Sequence, residues 1–233
     1  MSNILQNLHQ KIFRLETIVT EQKNPFYSIK KSYAREVEVY YYGKVKEEHD
    51  FQILVTDFIF SEEEGTMDKF LKKISYLFDE IECKVDAEGN ITSVDNLLFL
   101  RVRWGKIQAD LSETHKGEAV DRYFSQISDL LEDETKLIDF LGSYTMFGLL
   151  FNGLLESFDT KRKRESSDGF TEIMTPVKDG DKIILKISAE NLEQTNINDF
   201  GGLFVCKGDQ FEEGFIEIKK DNFHLKHSLL WVG

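Results

Sequence analysis

The sequence predicts an α+β fold: a curved antiparallel β-sheet, formed by strands from both ends of the chain, packed around a central group of helices. Three patterns carry this expectation. Apolar and polar residues alternate in the first and last parts of the chain, the period of a half-buried strand. In the middle, apolar residues recur three and four apart, the period of an amphipathic helix. Within that middle, residues 133–156 (DETKLIDFLGSYTMFGLLFNGLLE) are apolar on almost every side. Such a run belongs in a core. Its uncharged part, Phe140 to Leu155, falls short of the roughly 20 residues a membrane span requires, and Ser143, Thr145 and Asn152 interrupt it.

The elements follow in order. In residues 1–22, Leu5, Leu8, Ile12, Leu15 and Val19 share a helical face, while Phe13, Leu15, Thr17 and Val19 also alternate; a short helical start passing into a strand is expected. Asn24-Pro25 marks a turn. YSIKKSYAREVEVYYYGKV and FQILVTDFIF then form a long antiparallel hairpin across KEEHD. Thr66 to Ile81 reads as a helix, with Met67, Phe70, Leu71, Ile74, Leu77, Phe78 and Ile81 on one face. CKVDAEGNITSV gives two short strands around Asp86–Asn90, with Gly89 supplying positive φ.

Asp95 or Asn96 then opens a helix whose stripe is Leu97, Leu100, Trp104, Ile107 and Leu111. A further helix carries Val120, Phe124, Ile127 and Leu131. The apolar run 133–156 reads as one central buried helix, and Gly142, Gly148 and Gly153 inside it, each costing about 1 kcal/mol against alanine, point to a close neighbour. Residues 157–169 lack an apolar period and read as a loop. Five strands follow over 170–233, and Phe200-Gly201-Gly202 signals a bulge or close approach. The whole is one domain, 1–233: mainly strands to 65, mainly helices over 66–156 with a small hairpin at 82–95, then loop and strands.

Composition narrows function. Forty-two acidic against 29 basic residues give a formal charge of -13, which disfavours nucleic acid and anionic membranes and suits a basic partner. Nineteen Phe and eight Tyr against two Pro favour packed sheet over linker. Cys83 and Cys206 lie far apart, outside any CxxC, and are expected to be reduced and buried. The start, MSNILQNLHQKIF, has no charged segment followed by an apolar one, so a cytoplasmic protein is expected.

No chemical motif stands out. The chain lacks GxxxxGK[ST], GxGxxG opening a helix, HExxH and GxSxG, so no cofactor, metal site or catalytic residue is assigned. His224 and His227, three apart in a strand, fall on opposite faces. Candidate contact residues are Tyr40 and Tyr42 on the first hairpin, Trp231 near the chain end, and the basic run Lys161, Arg162, Lys163 and Arg164, read as a solvated loop. The leading expectation is a non-catalytic acidic protein acting through protein–protein contacts: an adaptor, a chaperone or an immunity-type inhibitor of a basic partner. The alternative is a binding protein for a small apolar ligand in a cavity between sheet and helices, where the central glycines make room. An enzyme without a recognisable motif stands third; convergent buried carboxylates or histidines would raise its standing.

Overall fold

The computed structural model describes residues 10–61, 66–154, 158–166, 168–208 and 210–233. Eleven strands form one antiparallel sheet: β1 Lys11–Asn24, β2 Tyr27–Val45, β3 Glu48–Phe60, β4 Glu80–Val85, β5 Ile91–Val94, β6 Arg162–Glu165, β7 Thr171–Asp179, β8 Lys182–Glu190, β9 Asp199–Lys207, β10 Gln210–Lys220 and β11 Phe223–Trp231. Their order is β5-β4-β3-β2-β1-β11-β10-β9-β8-β7-β6. Two meanders therefore meet where the ends of the chain pair, with Phe13 opposite Trp231 and Thr17 opposite His227. Among the described residues the sheet is not closed, and five helices pack against it: α1 Thr66–Ser75, α2 Leu97–Thr114, α3 Glu118–Glu132, α4 Glu134–Gly142 and α5 Gly148–Leu154.

The α+β architecture matches what the sequence predicts, with five differences. The stretch 1–22 is strand from Lys11, while Leu5 and Leu8 lie outside the described residues. Two neighbouring strands claim Phe13, Leu15 and Thr17, all buried, so the two-residue period wins over the helical one. The helix begun at Thr66 ends at Ser75 in a 3-10 turn, Tyr76–Phe78, and Ile81 belongs to β4. Asn96 precedes α2 but does not cap it; its side-chain amide donates to the Glu80 carbonyl and accepts from the Glu82 amide, tying the helix to β4. Arg162–Glu165, within the expected loop, is the edge strand β6, hydrogen-bonded to β7.

The largest difference lies in the central run, which is two helices rather than one. Asp133 caps α4 by accepting from the amides of Thr135 and Lys136. After Gly142 the chain turns through Ser143–Phe147. The Phe147 amide reaches back to the Leu141 carbonyl at 3.0 Å and the Gly148 amide to the Ser143 carbonyl at 2.9 Å. A β-carbon on Gly148 would lie 2.3 Å from the Gly142 carbonyl oxygen, so only glycine fits there. The close neighbour that the central glycines imply is, here, the chain's own backbone. Gly202 is a second case, its absent β-carbon making way for the Phe215 carbonyl of β10.

The break lets one apolar segment face two directions. Leu137 and Leu141 of α4 are buried, and α4 packs on β5, where Glu134 accepts from the Val94 amide and so covers an exposed strand edge. In α5, Leu149, Leu150 and Phe151 are buried; Phe151 meets Phe51 of β3 at 5.4 Å, while the helix packs on β10 and β11. One short helix thus touches both halves of the sheet, which bends around it. Beyond it, α1, α2 and α3 share an aromatic cluster in which Phe124 stacks near Phe70 (5.8 Å) and Trp104 (5.6 Å).

Gly148→Ala is expected to destabilise the fold by about 1 to 3 kcal/mol, because backbone rather than a flexible side chain must move. Gly142→Ala, with open space around its β-carbon, should be neutral or slightly stabilising. Urea titrations of the two variants check this; equal effects would contradict the role given to the Gly148 contact.

Candidate functional site

The residues singled out from the sequence do not form one surface. Tyr40 and Tyr42 lie on the outer face of β2, opposite in sense to buried Val39. Their hydroxyls donate to Glu38 (2.6 Å) and Gln52 (2.7 Å). Trp231 pairs with buried Phe13 and so faces inward, half-buried, with the Lys11 ammonium 5.4 Å from its ring. The basic run sits far across the sheet on β6. There Lys161 is exposed, Lys163 pairs with Glu190 at 2.8 Å, and Arg162 and Arg164 turn inward. Both cysteines are buried and outside any disulfide, and burial pushes the Cys83 thiol up, which makes it unreactive. Among the described residues no group of three His, Cys, Asp or Glu is gathered for a metal, and no helix is long and apolar enough to cross a membrane.

What the structure does bring together is a set of polar side chains around the turn between α4 and α5. Arg164 of β6 and Glu172 of β7 are cross-strand partners on the inner face. Glu172 is 0% exposed; Tyr144, from the turn, donates its hydroxyl to Glu172 Oε2 at 2.7 Å, and Arg164 Nη2 lies 3.5 Å from the same oxygen. Among the described residues the other carboxyl oxygen has no hydrogen-bond partner. Burial raises the Glu172 carboxyl above its ordinary value, against the pull of Arg164 and Tyr144. Tyr144 stacks on His227 of β11 at 6.4 Å, and His227 Nδ1 shares a 3.0 Å hydrogen bond with Thr17 of β1. Burial lowers His227 to about 4, with the positive charge of Arg35 adding to the effect, so the ring is neutral at pH 7. A cavity of about 160 Å³ adjoins these groups, reaching Asp168 and Lys220.

On the other side of the same turn lies a second, apolar chamber of about 300 Å³. Phe58 of β3, Ile74 of α1, Phe78 of the 3-10 turn, Ile127 of α3, Phe140 of α4 and Met146 line it. Arg35 of β2 stands in its wall between buried neighbours Leu15 and Phe58. Its Nη2 donates to the Thr145 carbonyl at 3.0 Å, its Nη1 approaches Met146 Sδ at 3.3 Å, and the guanidinium lies 5.7 Å from the Phe147 ring. Thr145 borders both chambers, so the turn divides them. A third opening, of about 310 Å³, lies between the β4–β5 turn and β6, where Glu88 and Asn90 face Arg162 and Lys163 across Phe151. The two free edges of the sheet therefore approach each other.

Arg35 and Glu172 were not singled out from the sequence, and His227 was noted only as lying on the face opposite His224, although each carries a signal. Arg35 alternates with Val37 and Val39, Glu172 with Phe170 and Met174, His227 with Leu225 and Leu229. A polar residue in register with an apolar face is the trace such a site leaves in a strand.

No protein-family profile and no curated protein sequence matches the chain. Among solved structures, 96% of the chain is similar to a structure described as lipid–protein interactions in lipovitellin, at 8% identity and a TM-score of 0.47, spanning 25% of that chain. It is also similar over 100% of its length to Rv2717c from M. tuberculosis, at 10% identity and a TM-score of 0.29, spanning 99% of that chain. The chain thus spans about a quarter of the first. At these scores neither likeness bears on function.

The polar cluster makes two expectations. Because His227 is lowered from 6.5 to about 4, the folded state binds fewer protons than the unfolded state between those values, so stability falls as pH drops through that window. The loss is on the order of 3 kcal/mol, at about 1.4 kcal/mol per pH unit. Glu172, being raised, acts in the opposite sense: its contribution is present at low pH and is lost as pH rises. Urea unfolding of wild type and His227→Gln from pH 7 to pH 4 isolates the histidine, and parallel curves would contradict its burial as a neutral ring. Separately, Arg164→Met should destabilise by roughly 3 kcal/mol by stranding Glu172, while Lys163→Met should cost under about 1 kcal/mol; equal losses would mean that the run acts as a solvated loop.

Proposed function

We propose that the protein binds a small apolar ligand in the chamber between the sheet and the helices. The observation that carries this reading is the chamber itself. It measures about 300 Å³ and is walled by buried Phe58, Phe78, Ile74 and Ile127 and by half-buried Phe140. Well-packed interiors hold few voids larger than a water molecule, so a space of this size in an aromatic wall matches the low end of ligand pockets. Its wall comes from β2, β3, α1, α3, α4 and the α4–α5 turn, elements far apart in sequence that a rigid scaffold holds in place. Burying an apolar molecule there gains about 25 cal/mol per Å² of apolar surface removed from water.

Protein contact is a second function with a specific feature behind it. On α2, Leu98 and Val102 are 73% and 54% exposed, one turn apart on the outward face, beside Phe99. The acid surplus of the chain would suit a basic partner at such a face. The concave aromatic chamber favours the ligand reading over this one. The convergence of Glu172, Tyr144 and His227 beside the smaller cavity gives the enzyme reading a place on the chain, with Tyr144 and Arg164 engaging one carboxyl oxygen.

The test uses 1-aminoanthracene, a neutral apolar fluorophore, titrated into the native protein. One-to-one binding is expected, with at least a tenfold loss of affinity in Ser75→Phe, which projects into the chamber from the end of α1. Absence of saturable binding, or equal binding by the filled variant, would contradict the proposal.

A further inference from the structure

We propose that the ligand taken by this chamber is an amphipathic carboxylate, with its alkyl chain among Phe58, Ile74, Phe78 and Phe140 and its head on the guanidinium of Arg35. This rests on the ligand reading of the chamber and adds a chemical class to it. A cation inside an apolar wall is costly unless it is paired and hydrogen-bonded. Among the described residues no carboxylate lies within ion-pair distance of Arg35, whereas Arg164, another inward arginine, has Glu172. Desolvation is correspondingly strong at Arg35: burial draws it down to about 10, so it is weakened as a base but still fully charged at pH 7.

The hydrogen bonds of Arg35 leave room for a better acceptor. The Thr145 carbonyl takes one N–H of Nη2, which fixes the plane of the guanidinium against the turn. Among the described residues the partner of Nη1 is the Met146 thioether at 3.3 Å, a weak acceptor on a side chain with three rotatable bonds. Five donors in a fixed fork with one strong acceptor engaged leave a bidentate edge for a planar carboxylate. Met146 also lines the chamber, so its sulfur can yield to a carboxylate oxygen without disturbing the sheet. The charge of the whole chain points the other way. At -13 the protein repels anions at long range, so a preference for an anionic ligand would have to come from this one local cation.

The experiment is calorimetric titration of the full chain with decanoate, 1-decanol and decyltrimethylammonium, which share one alkyl chain and differ in the head. Decanoate is expected to bind at least tenfold more tightly than 1-decanol and the ammonium more weakly than either. In Arg35→Met, decanoate should fall to the affinity of 1-decanol while 1-decanol is retained. Arg35→Lys, which keeps the charge but loses the fork, should fall between, and serves if the methionine variant does not fold. Equal or tighter binding of 1-decanol by the native chain overturns the headgroup assignment and leaves the chamber as an apolar site. Failure of all three to bind overturns the chamber reading together with the headgroup.

Discussion

A sheet that bends until its edges approach each other must fill the space it encloses, and here the filler is a single apolar segment with a break in it. An unbroken helix over 133–156 would present one straight cylinder to a curved wall. The break after Gly142 lets α4 lie against β5 while α5 turns toward β10 and β11. Backbone bonds from Phe147 and Gly148 to Leu141 and Ser143 fix the angle between them, and the missing side chain of Gly148 permits it. The cost of leaving regular helix is met by satisfying the freed backbone groups locally and from the sheet, where Arg35 reaches the Thr145 carbonyl.

The same break produces both chambers. Residues 143–147 are too irregular to pack flush, and the side chains that meet them from the sheet are polar: Arg35 from β2, His227 from β11, Arg164 and Glu172 from β6 and β7. Each sits on a strand face that is otherwise apolar, where an unpaired polar group would cost on the order of 1 to 3 kcal/mol. On one side the charges answer one another, with Tyr144 bridging the cluster. On the other, Arg35 meets an aromatic chamber that has no carboxylate among the described residues. That asymmetry separates a structural cluster from a place where a ligand supplies what the chain does not.

Much of the architecture was legible in the sequence, because the two-residue period of the outer thirds and the three-to-four period of the middle are local signals. The 27–60 hairpin, the 86–90 turn with Gly89 at φ 88°, and the helices around Trp104 and Phe124 follow from them. The break in the central run was not legible as a break. Gly142 and Gly148 were visible, but an all-apolar helix has no polar face whose phase could reveal a change of direction. Nor was β6, since Lys161–Arg164 carries no apolar alternation and is a strand only because β7 offers an edge to pair with. Arg35, Glu172 and His227 stood in apolar register, yet their neighbours come from strands as far apart as β1 and β11 or from the α4–α5 turn, and no local pattern shows that.

The most direct measurement of this account is native-state hydrogen exchange at the Phe147 and Gly148 amides. If the break is the fixed centre on which the sheet closes, both amides exchange only through global unfolding, with the same denaturant dependence as the paired amides of β1 and β11. Fast exchange of these two amides, insensitive to denaturant while β1 and β11 stay protected, would show that the turn opens on its own and would contradict the central role given to it.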